Sequence, residues 1–174
     1  ILKENVKIVF TSAGNPMTYT KLLKDNGVIV VHVVANKKYA LKCIDAGVDA
    51  IVAEGFEAGG HNGHDEITSL CLIPQIKSII DVPLIAAGGI GSGSSMLAAM
   101  SLGADGVQIG SLFASSKESS AHKNFKEHII NAKDNDTKLT LKEITPVRLL
   151  KNEFYNKVID AYNNNATKND LIKL

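Results

Sequence analysis

Residues 82–111 read VPLIAAGGIGSGSSMLAAMSLGADGVQIGS. An apolar run ends in two glycines. A glycine- and serine-rich turn leads into SSMLAAMSLG (94–103), which has helical spacing and closes at Gly103. A second apolar run, GVQIG (106–110), again ends in glycine. Continuous apolar strands alternating with helices predict a parallel sheet covered by helices. The pattern continues outward. KIVFTSAG (7–14), VIVVHVV (28–34) and DAIVAEG (49–55) read as strands that begin about 21 residues apart. PMTYTKLLKDNG (16–27) and NKKYALKCIDAG (36–47) read as helices, closed by Gly27 and Gly47, the second N-capped by Asn36. SLCLIPQIKSII (69–80) reads as a helix that starts or bends at Pro74. AGVDAIVAEG (46–55) and LGADGVQIG (102–110) echo each other: a helix-ending glycine, an aspartate, then a strand ending in glycine.

Parallel β/α folds place their chemistry at the carboxyl ends of strands. Here those ends read SAGN, AEGFEAGGH, AAGGI and QIGS. Glycine and small polar residues gather there, while the helix-to-strand side is plain. Two architectures fit five such strands. One is a doubly wound sheet. The other is a (β/α) barrel, which needs eight strands and roughly 250 residues. Gly88 and Gly89 at one strand end, then Gly110 and Ser111 at the next, favour phosphate binding by backbone N–H groups, as on the last two strands of such barrels. Either glycine cluster alone would serve equally well as a tight βα turn.

Bulk properties narrow the field. The chain has 174 residues, 45% hydrophobic and 21% charged, with a net charge of +1. One sizeable core is expected, with no electrostatic pull toward nucleic acid or anionic membrane. No apolar run approaches the roughly 20 residues of a membrane span. Cys43 and Cys71 lie in apolar patterns without metal-type spacing, so buried reduced thiols and a reducing, cytoplasmic setting are expected.

TSAGNP, AGVDAIVAEGFEAGGHNG, VPLIAAGGIGSG, LGADGVQIGSLF and KESSAHKNFKE, in this order, resemble the flavin-dependent barrels that include nitronate monooxygenases (2-nitropropane dioxygenases) and the flavin-type, FabK-type enoyl-acyl-carrier-protein reductases. The resemblance runs from about residue 6 to about residue 155. It implies an α/β fold: a parallel TIM barrel of which only the C-terminal five βα units of eight are present, with part of a C-terminal helical extension. The division expected is 1–132 for the partial FMN-binding barrel and 133–174 for an extension with a short strand and helices. FMN is the implied cofactor, with NADH or NADPH as reductant in a reductase.

The family pattern transfers residue by residue. Gly88, Gly89 and Ile90, with Gln108, Gly110 and Ser111, would hold the FMN phosphate; many members have threonine where Ser111 stands. Ser12, Ala13 and Gly14 match a small-residue strand end facing the flavin. Glu54, Gly55, Ala58, Gly59 and Gly60 match the strand end and loop beside the isoalloxazine. His61 matches the histidine of the GGH motif and is the expected catalytic residue. An imidazole gives or takes a proton near neutrality. In a reductase it would protonate or stabilise the enolate of an enoyl thioester. In a nitronate monooxygenase it would act as a base on a nitroalkane or position a nitronate. A solvated loop histidine is the bland alternative.

No metal site is expected. His61 and His64 are three apart, a spacing that aligns ligands only in a helix, and the glycines oppose one. His32, inside a β-branched run, reads as a satisfied core or strand-end histidine. His122 and His128 fall in a polar helical segment. KLTLKEI (138–144) reads as a short strand and TPVRLLKNEFYNKVIDAY (145–162) as a helix, whose Arg148 and Lys151 would face solvent or an acidic carrier protein. The functions weighed are an enoyl-acyl-carrier-protein reductase of fatty acid synthesis, a nitronate monooxygenase using O2, and a non-catalytic phosphate-binding module. The expected partners are a small-molecule or acyl-thioester substrate, an acyl carrier protein and a second copy in a homodimer, with no nucleic acid and no membrane.

Overall fold

The computed structural model describes residues 1–174. The chain divides into two compact units, 1–57 with 65–109, and 58–64 with 110–174. This partition follows packing and falls at residues other than the 132/133 boundary read from sequence.

The first unit holds β1 (Ile8–Thr11), α1 (Thr20–Asp25), β2 (Ile29–Val34), α2 (Lys37–Ala46) and β3 (Ala50–Glu54). After β4 (Gly60–His61), which belongs to the second unit, come α3 (Ser69–Lys77), β5 (Leu84–Ala87), α4 (Gly93–Ser101) and β6 (Gly106–Gln108). The sheet order is β1-β2-β3-β5-β6, and every pairing is parallel. Each new strand joins the same growing side, and the order never reverses. A doubly wound sheet requires a reversal; the monotonic order is that of a partial (β/α) barrel.

Alternation assigns the two faces of the sheet. Val30, Val34, Ile51, Ala53, Leu84 and Ala86 pack with the helix residues Cys43, Leu72, Ile73 and Ile76 in one buried cluster. Val31, Ala50, Val52 and Ala87 form a second cluster on the other face. Burying an aliphatic side chain of this kind contributes about 1.5–3 kcal/mol. Asn36 caps α2 through its side chain, which accepts from the Tyr39 N–H at 2.9 Å, and Gly47 ends that helix at φ 75°. Helix α3 starts at Ser69 and continues past Pro74. The hydrogen bond that proline forgoes falls at Leu70, an exposed residue.

The echoed segments have one physical cause. Asp49 precedes β3, accepts from the Val30 N–H at 2.8 Å and pairs with Lys24 at 2.8 Å. Asp105 precedes β6, accepts from the Leu84 N–H at 2.8 Å and pairs with Lys77 at 3.0 Å. In both βα repeats the aspartate ties the entry of its own strand to the neighbouring strand and to the helix that precedes that neighbour. Burial opposes ionisation of Asp49, but the Lys24 and Val30 hydrogen bonds outweigh it and hold the carboxyl below its usual range. The Leu84 N–H, then Lys77, do the same for Asp105.

The second unit holds β4, α5 (Ser111–Ala114), α6 (Lys123–Asn131), β7 (Thr137–Thr140), β8 (Val147–Leu150), α7 (Glu153–Asn163) and α8 (Lys168–Leu171). The helix expected over 145–162 is corrected here: Val147–Leu150 is a strand, and the helix begins only at Glu153, capped by Asn152. VRLL is a short run that pairs between β7 and β4 in the order β4-β8-β7, all antiparallel. Pairing with neighbouring β7 and with sequence-distant β4 decided its state over local propensity. No helix is long and apolar enough to cross a membrane.

Candidate active site

The carboxyl ends of the parallel strands carry most of the expected residues. Glu54 pairs in register with Ala87, and Ala87 with Gln108. The three therefore project from the same sheet face at the same level, a carboxyl and an amide flanking a methyl group. Burial raises the Glu54 carboxyl above its usual range, and no side-chain partner offsets that. Beyond Ala87 the chain turns through Gly88 at φ 95° and Gly89 at φ 72°, conformations that disfavour other residues. Ile90 is half-exposed beyond them and packs against the helix-side cluster. Ser92 then caps α4 in a reciprocal box with Ser95. The β6 end passes through Gln108 to Gly110 and Ser111, which open the short helix α5 in the second unit.

Glu57, which sequence reasoning passed over, ties the β3 rim together. Its carboxylate accepts from the Ser69 N–H at 3.0 Å and from Ser69 Oγ at 2.9 Å, at the start of α3. A Cβ on Gly55 would sit 2.5 Å from Glu57 Oε2 and 2.5 Å from the Ser69 nitrogen. A Cβ on Gly89 would come within 3.0 Å of the Glu57 Cβ. The glycines at 55 and 89 thus make room for one glutamate. Ser69 and Gly89 lie far along the chain from Glu57, so nothing local signals that they meet it.

Ser12, Ala13 and Gly14 follow β1. Ala13 and Gly14 both have positive φ, 55° and 63°. They line a cavity of about 350 Å3 with Thr11, Asn15, Tyr19 and His32. His32 is buried, and its Nδ1 lies 2.7 Å from Thr11 Oγ1. Burial lowers its pKa, so the ring is a neutral, satisfied strand histidine as expected.

The GGH stretch lies in the second unit. Ala58 is buried; Gly59, Gly60 and His61 are exposed. Gly60 has φ 82°. β4 pairs Gly60 with Arg148 and His61 with Val147. No hydrogen bond or ion pair holds either ring nitrogen of His61. Asn62, also passed over in the sequence, is buried and donates to the carbonyls of Ala58 and Gly60. The neighbouring loop is polar and solvated: Asp65 accepts from Asn36 Nδ2 at 2.6 Å. No three His, Cys, Asp or Glu side chains form a metal-binding group. Of the cysteines, Cys43 is buried, its thiol pushed up to about 11 by desolvation, whereas Cys71 is exposed, contrary to expectation. Cys71 sits near the start of α3, on the side of the helix away from Leu72 and Ile73 in the core. His122 caps α6 by accepting from the Asn124 N–H at 3.2 Å, a structural role.

Comparison with known proteins bears on the fold and the family. A probable nitronate monooxygenase of Staphylococcus aureus (strain MSSA476) is 37% identical over 149 residues, covering 80% of this chain and 42% of the relative. The structure of FabK from Thermotoga maritima superposes with a TM-score of 0.87 at 41% identity, over 94% of this chain and 52% of that one. A nitroalkane oxidase from Streptomyces ansochromogenes gives 0.78 at 28% identity, over 90% and 48%. The chain thus spans about half the length of the proteins it resembles. The family model for nitronate monooxygenase matches residues 1–171. With its singly wound strands, glycine-lined strand ends and GGH segment, this chain belongs to the nitronate monooxygenase family.

Proposed function

We propose that the complete protein is an FMN-dependent oxidoreductase in which His61 handles the proton. One observation carries this reading: His61 is exposed, with both ring nitrogens unpartnered, while the backbone that bears it is paired to β8. An imidazole held on a sheet edge is positioned yet free to act. The residues fit a flavin. Glu54, Ala87 and Gln108 offer a small, flat floor with polar flanks, and the turn at Gly88 and Gly89 leaves N–H groups open at a strand end beside a helix start. Gly88, Gly89 and Ile90 would hold the phosphate with Gly110 and Ser111. Ser12, Ala13, Gly14, Glu54, Gly55, Ala58, Gly59 and Gly60 would border the ring. Bound FMN would supply the hydride chemistry, and the protein supplies orientation and proton transfer. Raised by burial, Glu54 retains its proton to higher pH than an ordinary carboxyl and can donate a hydrogen bond while it does.

The substrate we favour is an enoyl thioester, reduced at the expense of NADH or NADPH, with acyl carrier protein as the natural carrier of the acyl chain. The likeness to FabK from Thermotoga maritima supports this choice. His61 would then deliver a proton to the carbon beside the thioester carbonyl, or hydrogen-bond the enolate oxygen. The second reading is oxidation of alkyl nitronates with O2. The likeness to the Staphylococcus aureus and Streptomyces ansochromogenes proteins supports it. His61 would then hold the nitronate oxygens or remove the proton beside the nitro group. Full-length protein given NAD(P)H and a short enoyl-CoA, and separately an alkyl nitronate under air, separates the two. Cofactor oxidation that depends on the enoyl substrate favours reduction. Oxygen uptake with nitronate and no NAD(P)H favours the second.

A further inference from the structure

Asn62 is a buried polar residue, 9% exposed, beside exposed Gly60 and His61. Its side-chain nitrogen donates to the Ala58 carbonyl at 2.9 Å and to the Gly60 carbonyl at 3.1 Å. A primary amide carries two N–H bonds, one for each of these acceptors. Its backbone N–H donates to the carbonyl of buried Pro146 at 2.8 Å, continuing the pairing of His61 with Val147. The turn it spans contains two consecutive glycines, the most conformationally free pair available. Left alone, that turn would let the imidazole wander. Asn62 closes it from inside, and β8 fixes it from outside.

We infer that Asn62 is a positioning residue for His61, setting the direction of the imidazole through the Ala58–Gly60 backbone. The inference rests on His61 being the proton-transferring group proposed above. Asn62 touches neither substrate nor flavin in this account. A residue of this kind alters turnover without altering flavin capture, because small misplacements of a reacting group cost rate steeply.

The test compares Asn62→Ala, Asn62→Asp, His61→Ala and the His61→Ala/Asn62→Ala double variant in full-length protein, with FMN uptake, kcat and KM measured on whichever substrate is turned over. Asn62→Ala is expected to lower kcat by about tenfold or more, with KM and FMN uptake within about twofold of wild type. Amide hydrogen exchange at Gly60 and His61 should accelerate. The double variant should be no slower than His61→Ala, since the asparagine acts through the histidine. In Asn62→Asp the ionised carboxylate has no donor for the two carbonyls; protonation restores one. Its activity relative to Asn62→Ala should therefore rise as pH falls. Where Asn62→Ala does not accumulate folded, Asn62→Ser, with one donor, takes its place. Wild-type kcat in Asn62→Ala overturns the inference, as does FMN uptake lost in proportion to activity, or additive losses in the double variant. If His61→Ala is slow while Asn62→Ala is not, only this inference fails. If His61→Ala is as fast as wild type, the underlying reading fails and the inference falls with it.

Discussion

The five-stranded parallel sheet and the three-stranded antiparallel sheet are built by different rules. In the parallel sheet each strand meets the next one within about one βα repeat, and each helix packs on a strand that it connects. In the antiparallel sheet a two-residue strand at 60–61 meets a partner at 147–148, about half the chain away. The first supplies many backbone N–H groups at strand ends, a diffuse and repeated resource. The second supplies one side chain, His61, held by few contacts. Loss at one point should therefore be tolerated in the first and decisive in the second.

The largest effect should come from the histidine itself. His61→Ala is expected to reduce turnover roughly 10²- to 10⁴-fold, the usual contribution of a general acid or base, with FMN uptake unchanged in a visible-absorbance titration. Gly55→Ala is the corresponding extreme for the parallel sheet. Its Cβ would meet backbone at Ser69, and overpacking of this kind costs about 1–3 kcal/mol or more, read as a lower midpoint in denaturant. Were Gly55→Ala neutral in stability, the tight rim around Glu57 would not be as described.

Smaller effects sharpen the comparison within the parallel sheet. Asp49→Asn and Asp105→Asn should each cost about 1 kcal/mol, a charged hydrogen bond discounted for partial exposure. Near-equal losses would confirm that the echoed segments do the same job. Both carboxyls are held below their usual range, so their stabilisation is full above the ordinary aspartate range and is lost as pH falls toward the lowered folded values. Glu54 runs the other way. Its carboxyl is raised by burial, so the cost of ionising it appears as pH rises from the ordinary glutamate range through the raised folded value. Glu54→Gln should flatten that decline in thermal midpoint against pH. The smallest perturbation is chemical: in native protein a thiol reagent should label exposed Cys71 and spare buried Cys43 until unfolding.

How much was legible in the sequence follows from the same contrast. Local signals wrote the parallel unit: Asn36 and Gly47 bound α2 where capping chemistry puts them, and β-branched runs mark β2 and β3. The rim glycines and His61 were visible because the GGH and AGGI stretches are distinctive. Residues acting at long range were not. VRLL gave too little periodicity to oppose a helix, and only β4 and β7 make it a strand. Glu57 acquires its role from Ser69, twelve residues on; Asn62 bonds to the nearby carbonyls of Ala58 and Gly60, but through an irregular glycine turn that no periodic pattern marks. Cys71 looked buried because its helix is apolar on nearly every side.

The most direct test is a titration of flavin-free full-length protein with FMN and with riboflavin. Phosphate capture by the glycine-lined ends of β5 and β6 predicts a yellow complex with FMN and at least about 100-fold weaker binding of riboflavin, the loss expected for a charge-assisted anion site. Equal affinity for the two, or no uptake of either, would contradict it.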